Sequence, residues 1–403
     1  MKTPSVVRGM RLHPRFKERT HCGEIRIGED IPKKGVNMRA YNFSAGPGAL
    51  ADEVLEQLQQ DIINYRETGL GVMELSPDSK EALEIVMGAE DALRRLLSIP
   101  QNYRVIFFEG SVYTQYSAIP LNLLSEHKCA DYVISGRYSK LAELEAKRYG
   151  DIAIAASSGG ATPPFSALPV LSSSNFRPDA DYVHICFNDS VYGTKFYDVP
   201  DTGNVPLVAD MSSCLLSEPI DISRFGMIYA STEANICPPT MTLIIIRDDL
   251  MGKMRDNLPT KLSYRNLVYN DTYPSMPPLF SIYTAKLVFE WILEMGGLVE
   301  MKRRNERKAS LLYDYLDDQT KYYTAPVSKG CRSMMNVVFS TGDGELDRKF
   351  VQDAAAKGLL NLSGDPVVGG IRASLYNAMP KEGVEKLVKF MKEFQTENIK
   401  FKL

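Results

Sequence analysis

An aspartate at the end of an apolar run is the residue of this chain best placed to do chemistry. Asp210 closes the run Leu207-Val208-Ala209, and two further short apolar runs follow at 225–230 and 243–247. Runs of this length, bounded by Gly, Pro and Ser, are typical of buried strands in an α/β sheet. Because such sheets bind ligands at the carboxyl ends of their strands, Asp210 stands where a ligand group is expected.

The composition indicates an ordinary folded protein of about two domains. The chain has 403 residues, 44% of them hydrophobic and 24% charged, with a net charge of −3. This charge gives no reason to expect nucleic-acid binding over the whole surface, and no apolar run reaches the ~18–20 residues of a membrane span. Six cysteines and four histidines are scattered without a CxxC pair. We therefore expect no metal site and no disulfide framework, and expect reduced, mostly buried cysteines.

The first 40 residues differ from the rest of the chain. Residues 1–17 contain no acid but five basic side chains, and Pro4 and Pro14 argue against one continuous helix. A basic, acid-free start suits a mitochondrial targeting segment, although serine is scarce. Two alternatives stay open: a disordered tail, and an arm that docks on a protein or RNA partner.

Helical spacing predicts two helices early in the following domain. The first begins near Asp52 and places Ile62 and Ile63 on its apolar face. The second covers 79–98 and places Leu83 on its apolar face.

His184 lies within an apolar run and is interpreted as packed in the core rather than catalytic, because no partner is evident in the sequence.

Several separated motifs occur in one order along residues 41–396. They are Asn42-Phe43-Ser44-Ala45-Gly46-Pro47-Gly48, Asp210-Met211-Ser212-Ser213, Arg247-Asp248-Asp249-Leu250 and Gly369-Gly370-Ile371-Arg372-Ala373-Ser374. With these motifs the chain resembles the phosphoserine aminotransferases, which are class V, fold-type I enzymes that use pyridoxal phosphate.

The resemblance implies an α/β fold of two domains. A large domain, 41–298, would hold a mostly parallel seven-stranded sheet. A small C-terminal α+β domain, 299–403, would include the linking helix, and the opening segment near 41–60 is a candidate to pack on it. Residues 1–40 form the extension. A loop around 270–283 corresponds to one that crosses to a neighbouring subunit, so the resemblance also implies a homodimer.

The resemblance assigns five residues to the ligand site. Asp210 would face the pyridine nitrogen, and Tyr138 would stand where the family stacks a Trp on the ring. Ser190 would offer a hydroxyl to the ring oxygen, Glu233 replaces a Gln of the phosphate-binding set, and Arg372 would bind the substrate carboxylate as a bidentate fork. We interpret all five as vestigial. The alternative for Asp210 is that it caps the following turn through local hydrogen bonds.

The position of the Schiff-base lysine is where the chain departs most from the family. The family's Gln-Lys-Asn turn reads Glu233-Ala234-Asn235, and no lysine occurs between Lys195 and Lys253. Transamination needs an amine that acts as nucleophile and general base, and alanine offers none.

Other positions of the same inferred site are also altered. An acid at Glu233 would repel a phosphate, by about 4 kcal/mol for two unit charges at ~4 Å and an effective dielectric of about 20. Other unfavourable replacements in this site are Asp78, Val112, Tyr113, Met276 and Asp365.

These differences predict a catalytically inactive, scaffold-type pseudoenzyme without a catalytic residue, metal or cofactor. It would be a homodimer in a larger complex of the mitochondrial matrix, or alternatively cytoplasmic. Two alternatives are kept. One is an active, pyridoxal-phosphate-dependent phosphoserine aminotransferase of serine biosynthesis. The other is an RNA- or ribonucleoprotein-associated factor that uses the basic arm.

Overall fold

A seven-stranded sheet forms the centre of the computed structural model, which describes residues 39–251, 258–269 and 278–399. The strand order is β2–β10–β9–β8–β5–β3–β4, with β10 antiparallel to both neighbours and the other pairs parallel. The strands are β2 (Tyr103–Glu109), β3 (Cys129–Ile134), β4 (Asp151–Ser157), β5 (Tyr182–Cys186), β8 (Leu207–Asp210), β9 (Met227–Ser231) and β10 (Met241–Arg247). This confirms the predicted fold class.

Helices cover both faces of this sheet, as a mostly parallel sheet requires. On one face α2 packs on α7, and on the other α3 packs on α4. The helices of this part are α1 (Asp52–Asp61), α2 (Lys80–Leu97), α3 (Val112–Leu123), α4 (Arg137–Ala146), α5 (Asp248–Met251), α6 (Tyr264–Tyr269) and α7 (Leu279–Glu294).

The C-terminal part consists of three helices and short strands, to which the chain's opening segment adds one strand. The helices are α8 (Gly297–Asp318), α9 (Gly344–Ala356) and α10 (Lys381–Asn398). Strand β1 (Tyr41–Asn42) pairs in parallel with β12 (Leu359–Leu360), and β11 (Asn336–Phe339) pairs antiparallel with β13 (Ile371–Ser374). The hairpin β6 (Asn188–Asp189) and β7 (Thr194–Lys195) extends from the end of β5. The opening segment near 41–60 therefore contacts the C-terminal part.

By the contacts within each unit, the chain divides into two units, Met1–Arg39 and Ala40–Leu403. The extension predicted over 1–40 stays a prediction, because residues 1–38 lie outside the described residues, and so does Met276. The division of the remaining chain at 298 stays a proposal.

Within the described ranges, no helix combines the length and the apolar character that crossing a bilayer would need. The five cysteines in those ranges are buried and free, as predicted.

The predicted apolar faces of the first two helices are wrong in part. Ile62, Ile63 and Leu83 are exposed rather than buried. The core-facing residues of α2 are instead Ala82, Ile85, Ala89, Ala92, Leu93, Leu96 and Leu97. Helical spacing alone assigned Leu83 to the stripe because large apolar residues occur on both sides of this helix.

Candidate active site

Asp210 ends β8 at the carboxyl edge of the sheet and is 3% exposed. One carboxylate oxygen accepts hydrogen bonds from the backbone N–H of Ser212 at 2.9 Å and from its hydroxyl at 2.6 Å. Burial raises the pKa of Asp210 to about 6, while hydrogen bonds from Ser212 and from the Tyr229 hydroxyl lower it and the charge of Glu233 raises it. The local capping bonds are thus present, but they satisfy only part of this carboxylate.

Tyr116 faces the same carboxylate from α3 and was missed by sequence reasoning. Its side chain is buried, and its hydroxyl has no hydrogen-bond partner within the described part of the chain. Burial raises the pKa of Tyr116 first of all, and the charge of Asp210 raises it further. Tyr138 also raises the pKa of Tyr116, so Tyr116 lies near both Asp210 and Tyr138. Its only sequence signal is its place in the first turns of α3, directly after β2.

Tyr138, Ser190 and Arg372 lie close together. Arg372 Nη1 donates a hydrogen bond to the backbone carbonyl of Ser190 at 3.1 Å. The pKa of Tyr138 is raised by burial and lowered by a hydrogen bond with Ser190 and by the charge of Arg372. Asp189 closes the turn of the β6–β7 hairpin, since its carboxylate accepts the backbone N–H groups of Val191 and Tyr192, both at 2.9 Å.

The turn that contains Glu233, Ala234 and Asn235 is held from two sides. The Glu233 carboxylate accepts a hydrogen bond from the Ser231 hydroxyl, and the Gly48 N–H donates to the Glu233 carbonyl at 2.7 Å. A Cβ at Gly48 would come within 2.5 Å of the Ala234 carbonyl oxygen, so only glycine allows this approach.

The C-terminal part fixes the same turn. Asn235 Oδ1 accepts the backbone N–H of Asn377 at 3.0 Å, and Asn235 Nδ2 donates to the Leu215 carbonyl at 3.1 Å. Ala234 is therefore a buried residue in a rigid turn.

Two of the replacements that we expected to be unfavourable behave differently. Asp365 is not an unpaired acid, since Arg137 Nη1 lies 3.2 Å from its carboxylate. Tyr113 does not fill the site, because its side chain is 54% exposed. Asp78 is exposed, and Val112 is buried as expected. The site is therefore less acidic and less crowded than the sequence suggested.

Two buried lysines have the lowered pKa that a Schiff-base amine needs, but they are engaged elsewhere. Burial lowers the pKa of Lys195 to about 8 and that of Lys308 to about 7. Lys195 pairs with Glu218. Lys308 donates to the backbone carbonyls of Leu375 and Tyr376, at 3.0 and 2.7 Å. Neither amine is directed at Asp210.

These residues fit the aromatic ring of a pyridoxal group but not the covalent bond that its aldehyde forms with a lysine. We call the contacts to the ring the ring half of the site and the lysine bond the covalent half. For the ring of that group there are a buried carboxylate at Asp210, a hydroxyl at Tyr116 that has no partner among the described residues, and an aromatic ring at Tyr138. The covalent half does not fit, because the turn residue is Ala234 and the two buried amines above are bonded elsewhere. In the described ranges, no cluster of three or more His, Cys, Asp or Glu side chains could hold a metal ion.

The aminotransferase class-V family matches this chain over residues 40–387. The phosphoserine aminotransferase of Hahella chejuensis is 46% identical over 360 residues, which cover 89% of this chain and 99% of that protein. The chloroplastic phosphoserine aminotransferase 1 of Arabidopsis thaliana is 43% identical over 93% of this chain and 87% of its own. A crystal structure of phosphoserine aminotransferase from Trichomonas vaginalis with bound pyridoxal phosphate superposes with a TM-score of 0.81, at 37% identity, over 88% of this chain and 100% of that one.

These findings contradict the prediction of an inactive protein. The expectations of a pseudoenzyme, of a scaffold component and of an RNA-associated factor are wrong, because relatives that match over almost their whole length carry an enzyme's name. The expectation that no cofactor binds is wrong for the same reason, since a similar structure holds pyridoxal phosphate. The error was to infer from a few altered positions that the entire chain had lost its function.

Replacement of Asp210 by Asn tests the charge at the centre of the site. Because the folded protein raises the pKa of Asp210 from 3.8 to about 6, it binds that proton more tightly than the unfolded chain. This contribution to stability is complete below pH 4 and is lost as the pH rises to about 6. We expect the unfolding free energy of Asp210→Asn, relative to the natural protein, to increase by about 3 kcal/mol across this range.

Urea denaturation at a series of pH values measures this difference. A difference between the two proteins that stays constant from pH 4 to pH 7 would show that Asp210 keeps an ordinary pKa in the folded state.

Proposed function

Because the chain belongs to the aminotransferase class-V family, we propose that it is a pyridoxal-phosphate-dependent phosphoserine aminotransferase of serine biosynthesis. The reaction converts 3-phosphohydroxypyruvate and glutamate to O-phosphoserine and 2-oxoglutarate. The observation that carries the proposal is the 46% identity over 99% of a phosphoserine aminotransferase. The buried carboxylate of Asp210 at the ring position supports it.

The proposed roles follow from the geometry of the ring half. Asp210 would hold the ring nitrogen, Tyr138 would lie against the ring, and the Ser190 hydroxyl would face the ring oxygen. Arg372 is partly exposed and bonded only to a backbone carbonyl in the contacts above, so its second guanidinium edge can bind the carboxylate of a substrate. When bound, pyridoxal phosphate supplies an aldehyde and an electron sink, the chemistry that lets an amino group move between carbon skeletons.

Ala234 sets a condition on this proposal. We place it at the family's lysine position, so this residue cannot hold the cofactor covalently or move a proton. The amino donor brings an amine of its own, but the proton transfer then needs a base other than residue 234. We propose that the cofactor is held by non-covalent contacts alone.

Activity of the full-length protein tests the proposed function directly. We expect formation of O-phosphoserine from 3-phosphohydroxypyruvate and glutamate when pyridoxal phosphate is present, measured by ³¹P NMR. Asp210→Asn should reduce the rate roughly 100-fold or more, since a charge partner of the ring is lost.

Ala234→Lys is the comparison variant for this assay. If the natural protein forms no product above the uncatalysed rate while Ala234→Lys does, the proposed activity is refuted and residue 234 is identified as the missing amine. If neither protein forms product although both are folded, the proposal is also refuted.

We propose further that the protein is a homodimer. Six large apolar side chains are exposed along the end of α1, the following loop and the start of α2: Ile62, Ile63, Leu70, Met73, Leu83 and Met87. We call these six residues the apolar patch. Gly71 lies against the Ile62 carbonyl, and Arg66 pairs with Glu84 at 3.4 Å, so the loop and both helices present the patch together. Clusters of this kind are typical of protein interfaces, and a second copy of the chain is the partner we propose.

Charged substitutions in the apolar patch should separate the subunits. Ile63 and Met87 are 76% and 70% exposed in the single chain. The natural protein should have a mass of about 90 kDa by light scattering, twice the 45.1 kDa of the chain, and Ile63→Lys/Met87→Glu should have half of it. Val170, which is 95% exposed outside the patch, provides the control Val170→Lys, which should stay dimeric. A natural protein of single-chain mass would refute the dimer.

The location of the protein is a separate proposal. One relative is a chloroplastic form by name, and we propose that residues 1–40 direct this chain to the mitochondrial matrix. Support comes from the basic, acid-free composition of residues 1–17. Imaging of a fluorescent reporter fused to residues 1–40 checks it, and a reporter that stays in the cytosol would refute it.

A further inference from the structure

Two buried asparagines connect elements that carry different residues of the candidate site. Asn188 begins β6, two residues before Ser190, and Asn336 begins β11. Asn188 Nδ2 donates a hydrogen bond to Asn336 Oδ1 at 2.9 Å, although the two residues are 148 positions apart in the sequence. Asn188 is 2% exposed and Asn336 is 0% exposed. We call these two residues the asparagine pair.

The hydroxyl of Ser333 determines the orientation of both amides. Its oxygen accepts the backbone N–H groups of Met335 and Asn336, both at 3.0 Å, so both lone pairs are used and its own proton must be donated. Asn188 Oδ1 accepts that proton at 2.6 Å. Asn188 Nδ2 is therefore the atom that meets Asn336 Oδ1, and Asn336 Nδ2 faces the opposite way.

Asn336 Nδ2 continues the connection to the strand that carries Arg372. It donates to Ser374 Oγ at 3.1 Å, and the two residues are register partners in the β11–β13 pair. Arg372 lies two residues earlier on β13, and its Nη1 donates to the Ser190 carbonyl at 3.1 Å. Three hydrogen bonds and two short stretches of chain, 188–190 and 372–374, thus form a closed circuit. This circuit holds the guanidinium of Arg372 at a set place beside the hairpin.

The asparagine pair is also bonded to the turn that follows Asp210. Asn188 Nδ2 donates its second hydrogen to Ser213 Oγ at 2.7 Å, and Ser213 lies three residues after Asp210. Asn336 Nδ2 donates its second hydrogen to the Tyr376 hydroxyl at 3.2 Å. Each amide thus uses both hydrogens and its oxygen. A buried polar network in which every group is satisfied specifies one arrangement of the elements that it joins.

A glycine in the hairpin allows the asparagine pair to meet. A Cβ at Gly193 would lie 2.8 Å from the Asn336 carbonyl oxygen, and Gly193 has a φ of +75°. The Gly193 carbonyl accepts the backbone N–H of Ser333 at 2.8 Å. The hairpin and the segment that leads into β11 are therefore in backbone contact, and the side chains of the asparagine pair set how they are aligned.

We propose that Asn188 and Asn336 are positioning residues that fix the separation between Asp210 and Arg372. They act through the turn after β8 on one side and through β13 on the other. The hydrogen bonds themselves are a property of the protein without ligand. Their consequence, that one substrate reaches both the ring at Asp210 and the guanidinium of Arg372, rests on the proposed function.

Hydrogen–deuterium exchange tests the structural part of this proposal without cofactor or substrate. Asn336→Leu keeps the approximate size of the side chain and removes its three side-chain hydrogen bonds. Because the circuit is opened, we expect the amides of 187–196 and 371–376 to exchange roughly tenfold or more faster than in the natural protein, while those of β2 keep their natural rate. Unchanged exchange in both segments would overturn the proposal.

Asn122→Leu is the matched control. Asn122 is also 0% exposed, and its side chain donates to the carbonyls of Ala118 and Leu262 and accepts the backbone N–H of Tyr264. It should lower stability by a similar amount and leave exchange in the two segments at the natural rate. If it accelerates exchange there as much as Asn336→Leu does, the effect is general destabilisation and the proposal fails.

Ser374→Ala is a milder variant that opens the same circuit at another bond, for the case that Asn336→Leu does not fold. It removes one acceptor of Asn336 Nδ2 and little else. Exchange in the same two segments should become roughly threefold faster. No increase in either segment would contradict the proposed role.

A double-mutant cycle with Arg372→Gln tests the effect on the substrate. We expect Asn336→Leu to lower kcat/KM for glutamate about tenfold in the natural protein but less than about twofold in Arg372→Gln, because the asparagine pair acts through that guanidinium. A residue that only stabilises the fold would lower kcat/KM by the same factor in both backgrounds, and this result would overturn the proposal.

Failure of the proposed function gives a different result. A natural protein without activity would refute that function and with it the role of the asparagine pair toward substrate. Faster exchange in Asn336→Leu would then still show that the pair holds the hairpin to β13, since exchange is measured without ligand.

Discussion

A carboxylate buried at the edge of a parallel sheet is the constraint on which this structure depends. Ionised Asp210 in an apolar interior is unfavourable unless hydrogen-bond donors surround it. The donors are the backbone N–H and the hydroxyl of Ser212 in the following turn. The Ser231 N–H at the end of β9 donates to that hydroxyl at 3.0 Å, so the neighbouring strand helps to hold the turn in place. The opening loop and the C-terminal part are bound to the neighbouring turn through Gly48 and Asn377. Local order at the site is therefore maintained by residues from the whole chain.

Sequence reasoning located the elements of the site better than its electrostatics. The apolar run that ends at Asp210 is a local signal, and Tyr138, Ser190 and Arg372 follow from motifs whose order is preserved. An ion pair between residues that are far apart in the sequence leaves no such local signal. Arg137 and Asp365 are 228 residues apart, and only the folded chain shows that this acid has a partner. Similarly, an exposed Tyr113 and a buried Tyr116 on one helix could not be told apart by their residue type.

The prediction of an inactive protein depended mainly on one position, Ala234. Ala234 removes an amine, and from it we predicted the loss of both reaction and cofactor. The ring half of the site does not depend on that amine. Asp210, Tyr116 and Tyr138 place a buried carboxylate, a buried hydroxyl and an aromatic ring near one another, and the chain matches phosphoserine aminotransferases over nearly their full length. The two observations agree if the ring is bound by charge and packing rather than by a covalent bond.

Calorimetric titration with 4-deoxypyridoxine 5-phosphate tests this most directly. This compound has the ring and phosphate of pyridoxal phosphate but no aldehyde, so its binding reports the non-covalent site alone. The account predicts one molecule bound per chain at pH 7.5, with affinity at least tenfold weaker in Asp210→Asn. Absence of binding to the natural protein, or equal affinity for both proteins, would contradict it.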